Sequence, residues 1–291
     1  MHATDFTITS ADGEEVFVYR WSGEDQPRAV VHIVHGMGEH AGRYERVARA
    51  LVDRGYVVYA NDHRGHGRTA GSPDRHGDLG AAGWTGLVDD LALVAARARA
   101  DHPGVPLVLL GHSMGSFALQ QHLLDHSADI DGAVLSGTSA TDVIAAGLDP
   151  AQPADLTAFN APFEPARTEF DWLSRDDAEV DAYVADPACG FGLLAEGMAG
   201  LLRAAPATAD PERLARIRPD LPILVMSGDA DPLAGGGALI ELVGQRYRDA
   251  GVKDVTVTLY PGARHEILNE TNRDVVTADL ITWLDATTAA P

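Results

Sequence analysis

The chain has 291 residues, 45% of them hydrophobic, which is enough for a large buried core. Its 43 acidic and 22 basic residues leave a net charge of −21, which repels phosphate backbones and argues for no nucleic-acid partner. The single cysteine, Cys189, rules out an intrachain disulfide, and no apolar run approaches the ~20 residues of a membrane-spanning helix, so no stable membrane insertion is expected. Residues 1–5 lack the basic start and apolar stretch of a secretory signal, and a cytoplasmic location is the expectation.

Residues 5–9 and 15–21 alternate apolar and polar side chains around Ser10-Ala11-Asp12-Gly13, the pattern of an antiparallel hairpin. Short apolar runs follow at 29–34, 56–60, 107–110, 132–135, 223–226 and 255–260, and they suit parallel strands buried on both faces. Helical patterns lie between them at 44–54, 84–101, 114–126 and 239–250, and one at 275–286 closes the chain. This alternation predicts an α/β class fold, a mostly parallel central sheet with flanking helices. The rhythm breaks from 139 to 219, a proline-rich interval too long for a plain connection, which carries Phe159, Phe163, Phe170, Trp172 and Phe191. It reads as an inserted helical cap, residues 139–219, between core segments 1–138 and 220–291.

The run at 107–110 leads into Gly111-His112-Ser113-Met114-Gly115 and then a helix, a G-x-S-x-G pentapeptide in strand–turn–helix context. A serine on such a turn stands at the C-terminal edge of the sheet, where open α/β sheets bind ligands. Ser113 is therefore the candidate nucleophile. An aspartate at this turn would suit dehalogenases and epoxide hydrolases, so the serine disfavours them. In this architecture acid and base follow the nucleophile in that order. Only His122, His126 and His265 come after Ser113, and only His265 follows a plausible acid. Two carboxylates are available, Asp229 and Asp231; Asp231 is favoured because it lies further out on the loop, while Asp229 could close the turn. Acyl transfer also needs two backbone N–H donors. Met114, after the serine, and Met37, in His35-Gly36-Met37-Gly38-Glu39-His40, are the candidates. His63-Arg64-Gly65-His66 reads as a turn with Asp62 bonding backbone, since no partner at ligand spacing supports a metal.

Several of these stretches resemble one family. His35-Gly36-Met37-Gly38-Glu39-His40 with Gly42-Arg43-Tyr44 is similar to the HGxGEHxxRY stretch of monoacylglycerol lipases and bacterial lysophospholipase-like hydrolases. Residues 61–67 resemble their D-x-R-G-H-G turn, and Leu173-Ser174-Arg175-Asp176 with residues 183–187 a signature of their cap. The segments holding Ser113, Asp231 and His265 match in order, whereas residues 145–161 match nothing in that pattern. The resemblance implies an α/β-hydrolase with a cap over an apolar acyl pocket, oxyanion donors at Met37 and Met114, and no cofactor or metal. It implies as substrate a small-molecule ester or a monoacyl lipid, monoacylglycerol or lysophospholipid. Gly36, His112, Phe170, Trp172 and Phe191 are the substrate-contacting candidates. Hydrolysis of amides or peptides by the same residues, and a non-catalytic binding role on this scaffold, stay open.

Overall fold

The computed structural model describes residues 1–289. Strands β1 (His2–Thr9) and β2 (Glu15–Ser22) form the hairpin, and β3 (Ala29–Val34), β4 (Tyr56–Asn61), β5 (Leu107–His112) and β6 (Gly132–Ser136) follow, then β7 (Ile223–Gly228) and β8 (Val255–Tyr260). They form one sheet in the order β1-β2-β4-β3-β5-β6-β7-β8, antiparallel only where β2 meets β1 and β4. Helices join them: α1 (Glu45–Val52), α2 (Gly67–Ala70), α3 (Gly83–Asp101), α4 (Met114–His126), α5 (Thr141–Ala145), α6 (Asp177–Ala185), α7 (Ala195–Ala204), α8 (Pro211–Leu214), α9 (Ala238–Asp249) and α10 (Arg273–Thr287).

Successive residues of a strand point to opposite faces, so each central strand feeds two cores. Val30, Val34, Leu107 and Leu109 pack with Leu87 and Leu91 of α3 and Leu119 of α4. Val31, Ile33, Val108 and Leu110 pack on the other face with Val47 and Leu51 of α1 and Leu280 and Leu284 of α10. That double burial is why these strands read as continuous apolar runs. β8 departs from the expectation. It pairs with β7 alone, so as an edge strand it is only partly buried over 255–259, with Thr256 exposed. Val257 and Leu259 rest against the core on one face, while the open edge meets solvent.

β3 lies centrally, with β4 on one side and β5 on the other, so the chain changes winding direction there. Open α/β sheets hold ligands at such a switch point, beyond the C-terminal ends of the strands. The connection between β6 and β7 contributes no strand; it holds α5 to α8 and 3-10 turns, with a small apolar cluster of its own at Leu156, Trp172, Leu173 and Tyr183. No helix among the described residues is long and apolar enough to cross a membrane.

Candidate active site

β5 ends at His112 and α4 begins at Met114, so Ser113 alone makes the turn. It has φ 52° and ψ −124°, and it is the one non-glycine residue with positive φ among the described residues. Backbone strain of this kind costs about 1–3 kcal/mol and persists only where the surroundings enforce it. Here the Ser113 N–H donates to the Ser136 carbonyl on β6 (2.9 Å), while the Ser113 carbonyl accepts from the N–H groups of Ser116 and Phe117 (2.8 and 3.1 Å). The flanking glycines are required by contact. A Cβ on Gly111 would lie 2.6 Å from the Gly115 carbonyl oxygen, and one on Gly115 only 2.1 Å from that of Val34.

His265 lies in the loop between β8 and α10. Its Nδ1 is 2.8 Å from Asp231 Oδ2, and both side chains are buried. Asp231 also accepts from the Leu233 N–H (2.9 Å) and from Ser227 Oγ (3.2 Å), so the carboxylate is fixed before it meets the imidazole. Acceptance of the Nδ1 proton leaves Nε2 as the basic atom. Burial works against a charged imidazole, but the Asp231 carboxylate outweighs it and the pKa of His265 lies above its ordinary value of 6.5. Asp229 is engaged elsewhere: its Oδ1 accepts the Gly262 N–H at 2.6 Å and closes that turn. The His265 loop is held by the β6–β7 connection. Glu266 N–H donates to the Leu173 carbonyl (2.7 Å), and Glu270 accepts from both the N–H of Arg264 (2.9 Å) and Arg175 Nε (2.9 Å).

The register Val34↔Gly111 sets the loop after β3 beside the Ser113 turn. A Cβ on Gly36 would lie 2.9 Å from Glu39 Oε1 and 3.0 Å from Ser113 Cβ, so a larger residue would crowd this approach. The N–H groups of Met37 and Met114 donate to no protein group among the described residues. Beneath the loop runs an ion network to which the sequence analysis gave no role. Glu39 accepts from the Gly36 N–H (2.6 Å), Tyr44 OH (2.9 Å) and Arg43 (2.7 Å), and Arg43 reaches Glu266 with two hydrogen bonds of 2.6 and 2.8 Å. Burial alone would raise the Glu266 pKa, but the Arg43 guanidinium holds it down at about 2. Only the i,i+4 spacing of Glu39 and Arg43 could have hinted at this pairing.

Ser113, Met114, Met37 and His265 line one cavity of about 230 Å³. No hydrogen bond joins the side chains of Ser113 and His265 among the described residues. Of the candidates for substrate contact, Gly36, His112 and Trp172 line this cavity. Phe170 and Phe191 do not. Phe170 packs at a tilt against Tyr183 at 5.1 Å within the connection, and Phe191 stacks on His76, before α3, at 4.3 Å, so both spend their apolar area away from the cavity. Much of the remaining wall is apolar, with Ile144, Leu148, Leu156 and Phe159, within or beside the unmatched stretch 145–161, and Met198, Leu201 and Leu233 contributing to it. His112 is neutral: burial, then the nearby His265, bring its pKa down to about 4.

The His63–His66 turn is built as the sequence suggests. Asp62 accepts the N–H groups of Ala41 (2.8 Å) and Arg68 (2.7 Å). Burial keeps His63 and His66 neutral, with pKa values near 3 and 4. Among the described residues, His40, Asp186 and Cys189 are the group with metal-ligating atoms within 4.8 Å of one another, but His40 Nε2 and Asp186 Oδ2 are already hydrogen-bonded at 3.0 Å.

The family described as serine aminopeptidase, S33 matches residues 25–272. A monoacylglycerol lipase of Mycolicibacterium smegmatis is 33% identical over 289 residues, covering 97% of this chain and 96% of that protein. A monoglyceride lipase of Homo sapiens is 32% identical over 282 residues, 90% of this chain and 84% of that protein. Among solved structures, a thermostable carboxyl esterase from Bacillus coagulans in complex with glycerol superposes with a TM-score of 0.90 at 27% identity, covering 99% of this chain and 100% of that one. The chain thus belongs to the serine aminopeptidase, S33 family of α/β-hydrolases, as an ester hydrolase of the monoglyceride lipase type.

Proposed function

We propose that the protein cleaves carboxylic esters of monoacyl lipids, monoacylglycerol or lysophospholipid, through an acyl-enzyme on Ser113. The observation that carries this reading is the cavity itself: an apolar wall on one side, with Ser113, His265 and two free N–H groups along it. Residues 139–219 act as the cap that supplies most of that wall. In the reaction His265 Nε2 takes the proton of Ser113 Oγ as the oxygen attacks the ester carbonyl. Asp231 holds the ring in the required tautomer and stabilises the imidazolium that forms. The carbonyl oxygen, now an oxyanion, is received by the N–H groups of Met37 and Met114. Collapse expels the alcohol, which takes the proton from His265. Water then repeats the sequence on the acyl-enzyme and releases the fatty acid.

An amide or aminopeptidase reaction is less well supported. Recognition of a free amino terminus needs an unspent carboxylate near the nucleophile. Of the four carboxylates that line the cavity, Glu39 and Glu266 are engaged by Arg43, and Asp149 and Asp155 accept the N–H groups of Ala151 and Thr157.

The test is a substrate panel of short- and long-chain p-nitrophenyl esters, monoacylglycerol, lysophosphatidylcholine and aminoacyl amides. A long-chain monoacyl lipid is expected to give the highest kcat/KM. Turnover confined to short soluble esters, or to amides, would refute the lipid assignment.

The pH dependence follows from His265. A general base works only when neutral, and this imidazole has a raised pKa. Activity is therefore full above that pKa and falls as pH drops through it. The acid limb of kcat/KM is expected to have its midpoint above 6.5, the ordinary histidine value. A midpoint below that value would mean that Asp231 does not govern the base.

A further inference from the structure

We infer that His35 is a positioning residue for the oxyanion site, holding from behind the peptide unit that presents the Met37 N–H. This rests on the reading of Met37 as an oxyanion donor. The amide joining Gly36 to Met37 has two polar ends, the Gly36 carbonyl and the Met37 N–H. The carbonyl lies 2.7 Å from His35 Nδ1, and the N–H, on a residue that lines the cavity, donates to no protein group among the described residues.

The direction of the His35 bond is settled by its other nitrogen. Nε2 accepts the backbone N–H of His63 at 3.0 Å, so it carries a lone pair and the ring proton sits on Nδ1, donating to the Gly36 carbonyl. The preceding amide is tied as well. Its carbonyl, that of His35, lies 3.1 Å from His63 Nε2, and its N–H, that of Gly36, donates to Glu39 at 2.6 Å. Two consecutive peptide units are thereby fixed by three hydrogen bonds, a fourth holds the His35 ring, and the Met37 N–H is the donor left over.

Two effects follow. An amide whose carbonyl accepts a hydrogen bond has a more polarised N–H, a strengthening of roughly 10–30% per bond. The clamp also fixes the aim of that N–H before substrate arrives, so no reorganisation is needed when charge develops. Leaving a buried ring nitrogen unpaired costs free energy, and other buried imidazoles of this chain bear that cost: both nitrogens of His122 and one each of His32 and His66 lack a partner, whereas both of His35 are bonded. His35 is fully buried. Burial, followed by the neighbouring His63 and His66, keeps it neutral, which preserves this donor–acceptor pattern.

Two isosteric substitutions separate its two bonds. In His35→Asn the amide nitrogen occupies the Nδ1 position and can still donate to the Gly36 carbonyl. In His35→Gln the amide reaches the Nε2 position and serves only His63. Removing an oxyanion donor outright costs 10²–10³ in kcat, so loosening one should cost about tenfold. We expect His35→Gln to lose about tenfold in kcat with KM unchanged, and His35→Asn to recover most of that loss. Ser113 labelling by a fluorophosphonate should slow in the same proportion. Equal kcat in the two variants, or a change in KM alone, overturns the proposal. So does 15N NMR of the unaltered protein if it places the His35 proton on Nε2, a readout independent of how either variant folds. Absence of labelling at Ser113 in the unaltered protein would instead overturn the acyl-enzyme reading, and this proposal with it. Normal labelling there with equal variants overturns this proposal alone.

Discussion

Ser113→Ala is expected to lower kcat for ester hydrolysis by about a millionfold, or about 8 kcal/mol of transition-state stabilisation. The size of the loss comes from the division of labour. In the proposed mechanism, loss of Oγ leaves no atom to form the acyl-enzyme, and His265 and Asp231 have no proton to move. What remains is binding and two N–H donors. The substitution should leave the fold intact, because alanine meets the same backbone strain at φ 52° and the turn is held by main-chain bonds to Ser136, Ser116 and Phe117. The two readouts are therefore kcat, expected to collapse, and Tm, expected to move little. A variant that melts normally and retains ester hydrolysis would sink the nucleophile assignment.

Arg43→Met is expected to destabilise the protein by about 3–5 kcal/mol, the usual cost of removing one partner from a buried ion cluster. Arg43 is the shared cation of Glu39 and Glu266, and all three side chains are largely buried. Its loss leaves two carboxylates facing each other beneath the Gly36–Met37 loop. In a chain of this size that corresponds to a fall in Tm of roughly 5–8 °C. The pH dependence gives the sign a second check. In the unaltered protein Glu266 has a pKa lowered from 4.5 to about 2, so its contribution is present above 4.5 and is lost as pH falls towards 2. In Arg43→Met the unpaired carboxylates are harder to ionise than in the unfolded chain, so the deficit should shrink as pH falls. Thermal melts of both proteins at pH 8 and pH 5 test this. An equal Tm at pH 8 would show that the network contributes nothing.

The sheet was readable because buried parallel strands are apolar on both faces, and residues 29–34 or 107–110 show that directly. The same rule misled at 255–260, since an edge strand with one covered face can carry nearly as many apolar residues. Chain order picked out His265, and loop position favoured Asp231 over Asp229, because both arguments depend on connectivity. The cavity wall was not readable. Phe170, Trp172 and Phe191 are all large and apolar, and only the folded arrangement sends Trp172 to the cavity and the other two to Tyr183 and His76. Residues 145–161 have no regular period to betray which side faces inward. The Arg43–Glu266 pair spans 223 positions of sequence, a separation over which no local pattern carries information.

The long connection between β6 and β7 leaves and re-enters the sheet at hydrogen-bonded neighbours. Its two ends are therefore held together by the sheet whatever lies between them. Changes in its length alter loop-closure entropy only logarithmically, about 0.6 kcal/mol per doubling. Most of the cavity wall is encoded in this one stretch, and the proposed reacting groups are encoded outside it. Grafting the stretch from one relative onto another should carry substrate preference across as a unit, which makes it a natural place for evolution, or an engineer, to retune this scaffold.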